Sequence, residues 1–125
     1  MRIKEGGYPS FITFFIKEKN MSISPKILDK TKDEFTTFHM RIANNSDEMI
    51  EGYISYKITM PNGIIDKKEF NRIEKINANS VIDLYDRYYI NDSFASGRYY
   101  VDGRFFWDNQ SVLSDTNKID YFDII

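Results

Sequence analysis

The sequence predicts an all-β chain folded as an antiparallel β-sandwich of about seven to nine strands. Three observations carry this. Aromatic residues make up 16% of the chain, with 10 Phe, 9 Tyr and 1 Trp, and such rings suit the half-buried faces of strands. Apolar and polar positions alternate at period two in short runs separated by Gly, Pro, Asn and Asp clusters. One stretch, Ser96 to Asn109, enters after a Gly turn, concentrates large aromatics and leaves through a polar turn, which marks it as the central strand.

Taken in order, Phe11 to Lys17 is a short apolar, β-prone run and reads as the first strand. Met21 to Pro25 alternates, then Pro25 removes a ladder donor, which places the segment at a sheet edge. Asp29 to Glu34 is a polar turn. Phe35 to Ala43 sets Phe38, Met40 and Ile42 on one face and Thr37, His39 and Arg41 on the other. Asn44 to Glu48 turns the chain into its longest expected strand, about Met49 to Met60, where Ile50, Gly52, Ile54, Tyr56 and Ile58 share a parity. Pro61-Asn62-Gly63 then predicts a hairpin, since Pro presets φ and Asn or Gly tolerates positive φ after it. Ile64 to Phe70 returns antiparallel, and its Lys67-Lys68-Glu69 suits an exposed edge.

Residues 66–77 fit two periods. Phe70, Ile73 and Ile76 also make a helical stripe that Asp66 and Glu69 could cap, but the flanking turn at Asn77 to Ser80 and the strand-like Val81 to Tyr85 favour strand. Tyr88 to Ile90 ends that run before the loop Asn91 to Gly97. After the central strand come a turn at Asp108 to Gln110, a brief strand at Ser111 to Ser114, and a closing apolar segment, Lys118 to Ile125.

The 125 residues suit one domain, 1–125, with no repeat or linker to divide them. Seventeen basic against nineteen acidic residues leave a formal charge of −2. No run of five like charges occurs, so neither nucleic acid nor an anionic membrane is an implied partner. The absence of cysteine rules out disulfides and thiol chemistry and leaves the compartment open. Phe11 to Ile16 is too short, and too interrupted by Thr13, for a signal-peptide core or a membrane span.

From about Phe35 onward the order of features resembles a bacterial immunoglobulin-like module. The pieces are Phe38 to Ser46, similar to the strand followed by Asn and a small residue that opens such domains; the Pro61-Asn62-Gly63 hairpin; Ile76 to Ser80 ahead of a strand; and Gly97-Arg98-Tyr99-Tyr100-Val101, similar to a late Gly-x-Tyr-x-Val strand. The resemblance implies an immunoglobulin-like antiparallel β-sandwich of the kind found in cell-adhesion-related modules and in certain proteinase inhibitors. It carries over no functional residue, and Asn77-Ala78-Asn79 stands where a Pro-Gly or Ala-Gly turn is commoner.

Chemistry is sparse. His39 is the only histidine, which removes multi-histidine zinc sites and every triad with a histidine base. Acidic residues cluster at Asp47-Glu48, Asp83 with Asp86, Asp92, Asp102 with Asp108, and Asp120 with Asp123. Two carboxylates could serve glycoside hydrolysis only if they faced each other across a cleft. No twelve-residue calcium loop, phosphate loop or nucleophile elbow is present. The expectation is a protein that is not an enzyme, with no catalytic residue, no metal site and no cofactor.

The ambiguous feature is the second face of the central strand. Tyr99, Val101, Phe105 and Trp107 read as core. Arg98, Tyr100, Arg104 and Phe106 share the other parity and mix arginine with aromatic rings, as binding surfaces do. Tyr88, with Tyr85 and Tyr89, extends that surface if its strand lies alongside. The function expected is a binding or structural module that holds a protein partner through this face or through an exposed edge such as Ile64 to Phe70, with an edge strand also offering a route to homo-oligomers. The alternatives are carbohydrate binding by exposed aromatics, proteinase inhibition through the loop Asn91 to Ser96, and a small hydrolase built on acid pairs.

Overall fold

The computed structural model describes residues 16–69, 74–107, 110–112 and 120–125. Ten strands run through them: β1 (Ile16–Ser24), β2 (Ile27–Leu28), β3 (Phe35–Asn44), β4 (Ile50–Thr59), β5 (Ile65–Glu69), β6 (Glu74–Ile76), β7 (Ser80–Tyr89), β8 (Gly97–Trp107), β9 (Gln110–Val112) and β10 (Asp120–Ile124). No helix interrupts them among the described residues. One sheet has the order β1-β3-β7 and the other β2-β10-β8-β4-β5, with β6 also on β4 and β9 on β8. The chain is an immunoglobulin-like antiparallel β-sandwich, except that β2 lies parallel to β10. After Ser24 the chain crosses from the edge of the first sheet to the edge of the second without reversing, and meets the last strand there.

The period-two pattern decides which side chains meet between the layers. From the three-stranded sheet come Ile23, Phe38, Met40, Ile42 and Tyr88; from the other come Ile54, Tyr56, Ile58, Tyr99, Val101, Phe105 and Phe122, all buried. Phe38 packs on Tyr56 at 4.9 Å and on Tyr88 at 5.5 Å, and Tyr99 stacks on Phe122 at 5.1 Å between ring centres. Fully burying one such ring contributes about 1.5–3 kcal/mol.

β8 is the central strand expected of Ser96 to Asn109: it lies between β10 and β4. Among the described residues it, at eleven residues, and not β4 with ten, is the longest strand. Its start is held by the Tyr99 hydroxyl, which donates to the Ala95 carbonyl at 2.8 Å, the tyrosine-corner arrangement of immunoglobulin-like sandwiches. The Pro61 turn is a hairpin as read. Gly63 N–H donates to Met60 O at 2.9 Å, Asn62 Oδ1 accepts from Ile64 N at 3.0 Å, and Gly63 takes the left-handed φ of 86°.

Residues 66–77 contain β5 and β6, both paired with β4, so the strand reading holds where the segment is described; Phe70 and Ile73 lie outside. The first expected strand, Phe11 to Lys17, falls outside but for its last two residues, as do Asp108-Asn109 of the late turn and Leu113 to Ile119. Met21 to Ser24 is no separate element but the end of the edge strand β1.

Two features hold the layers in register. The Asn44 carboxamide is buried; its Nδ2 donates to the carbonyls of Glu48 at 2.8 Å, Ile76 at 3.1 Å and Asn77 at 3.1 Å, and its Oδ1 accepts from Ser46 N and Oγ. Gly52 faces inward on β4, where a Cβ would land on the Phe106 carbonyl oxygen and 2.5 Å from Phe105 Cζ. At Gly103 a Cβ would meet instead the flexible ends of Met40 and Met21, at 2.6 and 2.9 Å, and the edge of the Tyr56 ring at 3.0 Å.

The two glycines therefore differ in consequence. Gly52→Ala should lower unfolding free energy by about 3 kcal/mol or prevent folding, because backbone must move, while Gly103→Ala should cost about 1 kcal/mol as methionine tips shift. Urea denaturation of both variants checks the ranking. Asn44→Ala leaves three carbonyls without their donor and should cost about 3 kcal/mol in the same measurement.

Candidate functional site

Each sheet turns one face outward, and each outer face collects charged and aromatic side chains. On the larger sheet the even positions of β8 project outward, as their parity predicts. Tyr100 is 45% exposed. Arg98 lies over the Tyr121 ring, 3.9 Å from its centre, and its Nε and Nη2 bond both oxygens of Asp123 at 2.9 and 3.2 Å. Arg104 Nε bonds Asp102 Oδ2 at 3.1 Å, and Phe106 stacks on Tyr53 at 5.2 Å. Arg98, Tyr100, Arg104 and Phe106 are thus brought onto one face, with both arginines already holding carboxylates of the same chain.

Tyr88 does not extend that face. It lies in the other sheet, points inward and is 3% exposed, with its hydroxyl donating to Asp66 Oδ2 at 2.8 Å. Burial first, and then the bond to Asp66, push the Tyr88 hydroxyl well above its ordinary range. It ties β7 to β5 across the sandwich. Tyr85 and Tyr89 are also in the other sheet, because β7 pairs with β3 and not with β8.

That second outer face is the one the sequence reading missed. Across β3 and β7 the register sets Phe35 opposite Tyr89, Thr37 opposite Arg87, His39 opposite Tyr85 and Arg41 opposite Asp83. The side chains follow it. His39 and Tyr85 stack at 4.6 Å with planes 6° apart, Phe35 and Tyr89 meet at 5.3 Å, and Arg87 lies 4.7 Å over the Phe35 ring. His39 Nε2 is 2.7 Å from Asp83 Oδ1, and Arg41 Nε is 3.2 Å from the same oxygen. Tyr85 and Tyr89 remain 63% and 60% exposed. The available signal was the outward parity that Val81, Asp83, Tyr85, Arg87 and Tyr89 share.

Two of the acid pairs do not converge, and Asp108 of a third lies outside the described residues. Asp83 projects outward and Asp86 inward on β7, and Asp120 is buried while Asp123 faces out. Among the described residues no three His, Asp or Glu side chains come close enough to hold a metal ion. A cavity of about 230 Å³ opens between the β4–β5 turn and the loop before β8, lined by Met60, Asn62, Ser93, Phe94, Ala95 and Tyr99. Its polar side chains are spent on local bonds: Asn62 Oδ1 accepts from Ile64 N, Ser93 Oγ donates to Asn91 Oδ1 and the Tyr99 hydroxyl donates to Ala95 O.

No family model and no curated protein matches the chain. Solved structures do share its fold. The Pseudomonas fluorescens alkylpurine DNA glycosylase AlkC, bound to DNA containing an abasic site analog, aligns with a TM-score of 0.65 at 11% identity over 93% of this chain and 33% of its own. A CARDB domain from Pyrococcus furiosus in complex with di-metal ions aligns at 0.52 and 13% identity, over 89% and 90% of the two chains. A Listeria innocua β-glucosidase in complex with glucose aligns at 0.56 and 15% identity, over 86% of this chain but 16% of its own. The chain therefore spans about a third or less of the two enzymes and nearly all of the CARDB domain, and at these identities the likeness is one of fold.

The outer-face ion pairs set an acid limit. The His39 hydrogen bond, aided by the Arg41 charge, holds the Asp83 carboxyl below the usual range, and the Arg98 bond does the same for Asp123. A carboxyl depressed in the fold stabilises above its unfolded pKa and loses that contribution as pH falls through the folded value. Stability should thus decline below about pH 4, and Asp83→Asn with Asp123→Asn should flatten that decline while lowering stability at neutral pH. Denaturation midpoints measured from about pH 2 to pH 7 check this.

Proposed function

We propose that the chain is a non-catalytic, immunoglobulin-like binding module that holds a protein partner on the outer face of its three-stranded sheet. The observation that carries this reading is the exposure of Tyr85 and Tyr89 within a set of rings and charges already in mutual contact. Fixed rings lose little entropy when a partner covers them, and Tyr and Arg dominate binding energy at protein interfaces.

Two further points support a module without chemistry of its own. Asp83 and Asp86 face opposite ways, as do Asp120 and Asp123, and in the two enzymes that share the fold the matching part is a minor fraction of a longer chain. The resemblance to cell-adhesion-related modules fits the same reading. Inhibition of a proteinase is less well supported. The loop Asn91 to Ser96 closes on itself through Phe94 N to Asn91 O and the Tyr99 clamp on Ala95, whereas a protease cleft takes an extended segment.

The test compares the two faces. Partners captured from the source cell are identified, and one is purified for titration. Tyr85→Ala with Tyr89→Ala should weaken its binding about thirtyfold or more, as loss of about 2 kcal/mol at a hot spot does. Tyr100→Ala with Phe106→Ala should leave binding near wild type. The opposite ranking returns the site to the larger sheet.

A further inference from the structure

The edge of β7 that no described strand pairs carries a pattern that complements itself. This strand bonds only β3 among the described residues and so ends its sheet with ten residues of backbone on one side unpaired by any described strand. Its hydrogen-bonding phase follows from one bond just beyond it. Ile90 N donates to Glu34 O at 3.1 Å, and the register continues without a shift through Tyr89 with Phe35 to Ser80 with Asn44. In an antiparallel ladder the residues of one parity turn their peptide groups to one neighbour. Even residues of β7 therefore bond to β3, while Val81, Asp83, Tyr85, Arg87 and Tyr89 turn N–H and C=O outward.

The same five residues carry the exposed side chains. About Tyr85 as a centre their order is apolar, acidic, tyrosine, basic, aromatic. We infer that two copies of this chain associate through β7, antiparallel about a two-fold axis at Tyr85, joining their three-stranded sheets into one sheet of six strands. Tyr85 then lies against the partner's Tyr85, Asp83 against the partner's Arg87 and Val81 against the partner's Tyr89. All are pairs of outward-bonding residues, so the phase of the hydrogen bonds and the match of the side chains select the same register. Opposite charges directly across an antiparallel pair stabilise, and like charges destabilise.

The groups involved have capacity left. Within the chain Asp83 Oδ2 receives only a long contact from Arg41 Nη2, at 3.4 Å, while Oδ1 takes the close bond from His39. Arg87 stacks on Phe35 and makes only a 3.5 Å contact with the Tyr89 hydroxyl. The other sheet's edge is built differently. β5 has five residues and carries Asp66, Lys67, Lys68 and Glu69 in succession, the lysine-bearing, short edge that resists pairing. The inference does not depend on the partner-binding reading above, since it concerns the purified chain alone.

Sedimentation equilibrium of the purified chain up to about 1 mM should show a monomer–dimer equilibrium. Asp83→Arg alone and Arg87→Asp alone each set like charges across the two-fold, and each should weaken the dimer on the order of tenfold. Mixed in equal amounts, the two variants restore both opposite-charge pairs and should form a heterodimer as tight as wild type. Tyr85→Pro removes an outward N–H and the Tyr85 ring but no backbone donor that bonds β3; it should stay folded by circular dichroism and be monomeric. A wild-type monomer throughout the range, a mixture no tighter than its components, or a folded Tyr85→Pro dimer overturns the inference.

Discussion

The carboxamide of Asn44 is where the two layers are made to agree. Stacked sheets share no ladder of backbone bonds, and apolar packing alone lets one slide against the other. Asn44 ends β3 in the first sheet, yet it donates to the carbonyls of Ile76 and Asn77 at the end of β6 in the second, and to Glu48 before β4. Asn79, in the left-handed conformation with φ 55°, adds its N–H to Ser46 O and its carboxamide to Asp47. Two turns from different parts of the chain become one unit at that end of the sandwich. At the opposite end Tyr88 reaches Asp66, so both ends are tied by a buried polar group that is satisfied across the layers.

With the layers tied, small residues set how closely the rest can approach. The Phe105 ring folds over Gly52, and Met40 and Met21 fill the space above Gly103. Asn44 and Gly52 look ordinary in the sequence: one reads as turn chemistry, the other as a gap in an apolar stripe. Their roles come from what lies opposite, in strands distant along the chain.

The same distinction separates what was legible from what was not. Parity is local, so the inward sets Phe38, Met40 and Ile42 on β3 and Tyr99, Val101 and Phe105 on β8 could be read directly, as could the outward set Arg98, Tyr100, Arg104 and Phe106. Sheet membership is not local. Tyr85, Tyr88 and Tyr89 sit within five residues and invite treatment as one patch beside β8, but β7 belongs with β3. The alternation in β7 is also masked: a carboxylate, Asp86, occupies the buried parity, while Val81, Tyr85 and Tyr89 put apolar groups on the exposed one. That inversion hid both the inward course of Tyr88 and the outer face that carries the proposed function.

The strand that changes sheets has a mechanical side. β2 runs parallel to β10, and Asp123 N–H to Lys26 O and Ile125 N–H to Leu28 O fasten the two at 2.8 and 2.9 Å. When a pull reaches this pair from the N-terminal side of β2 and the C-terminal side of β10, those bonds lie across the line of force and share the load. A hairpin pulled at its open end gives way one bond at a time. Loaded in that direction, the short parallel pair behaves as a shear clasp.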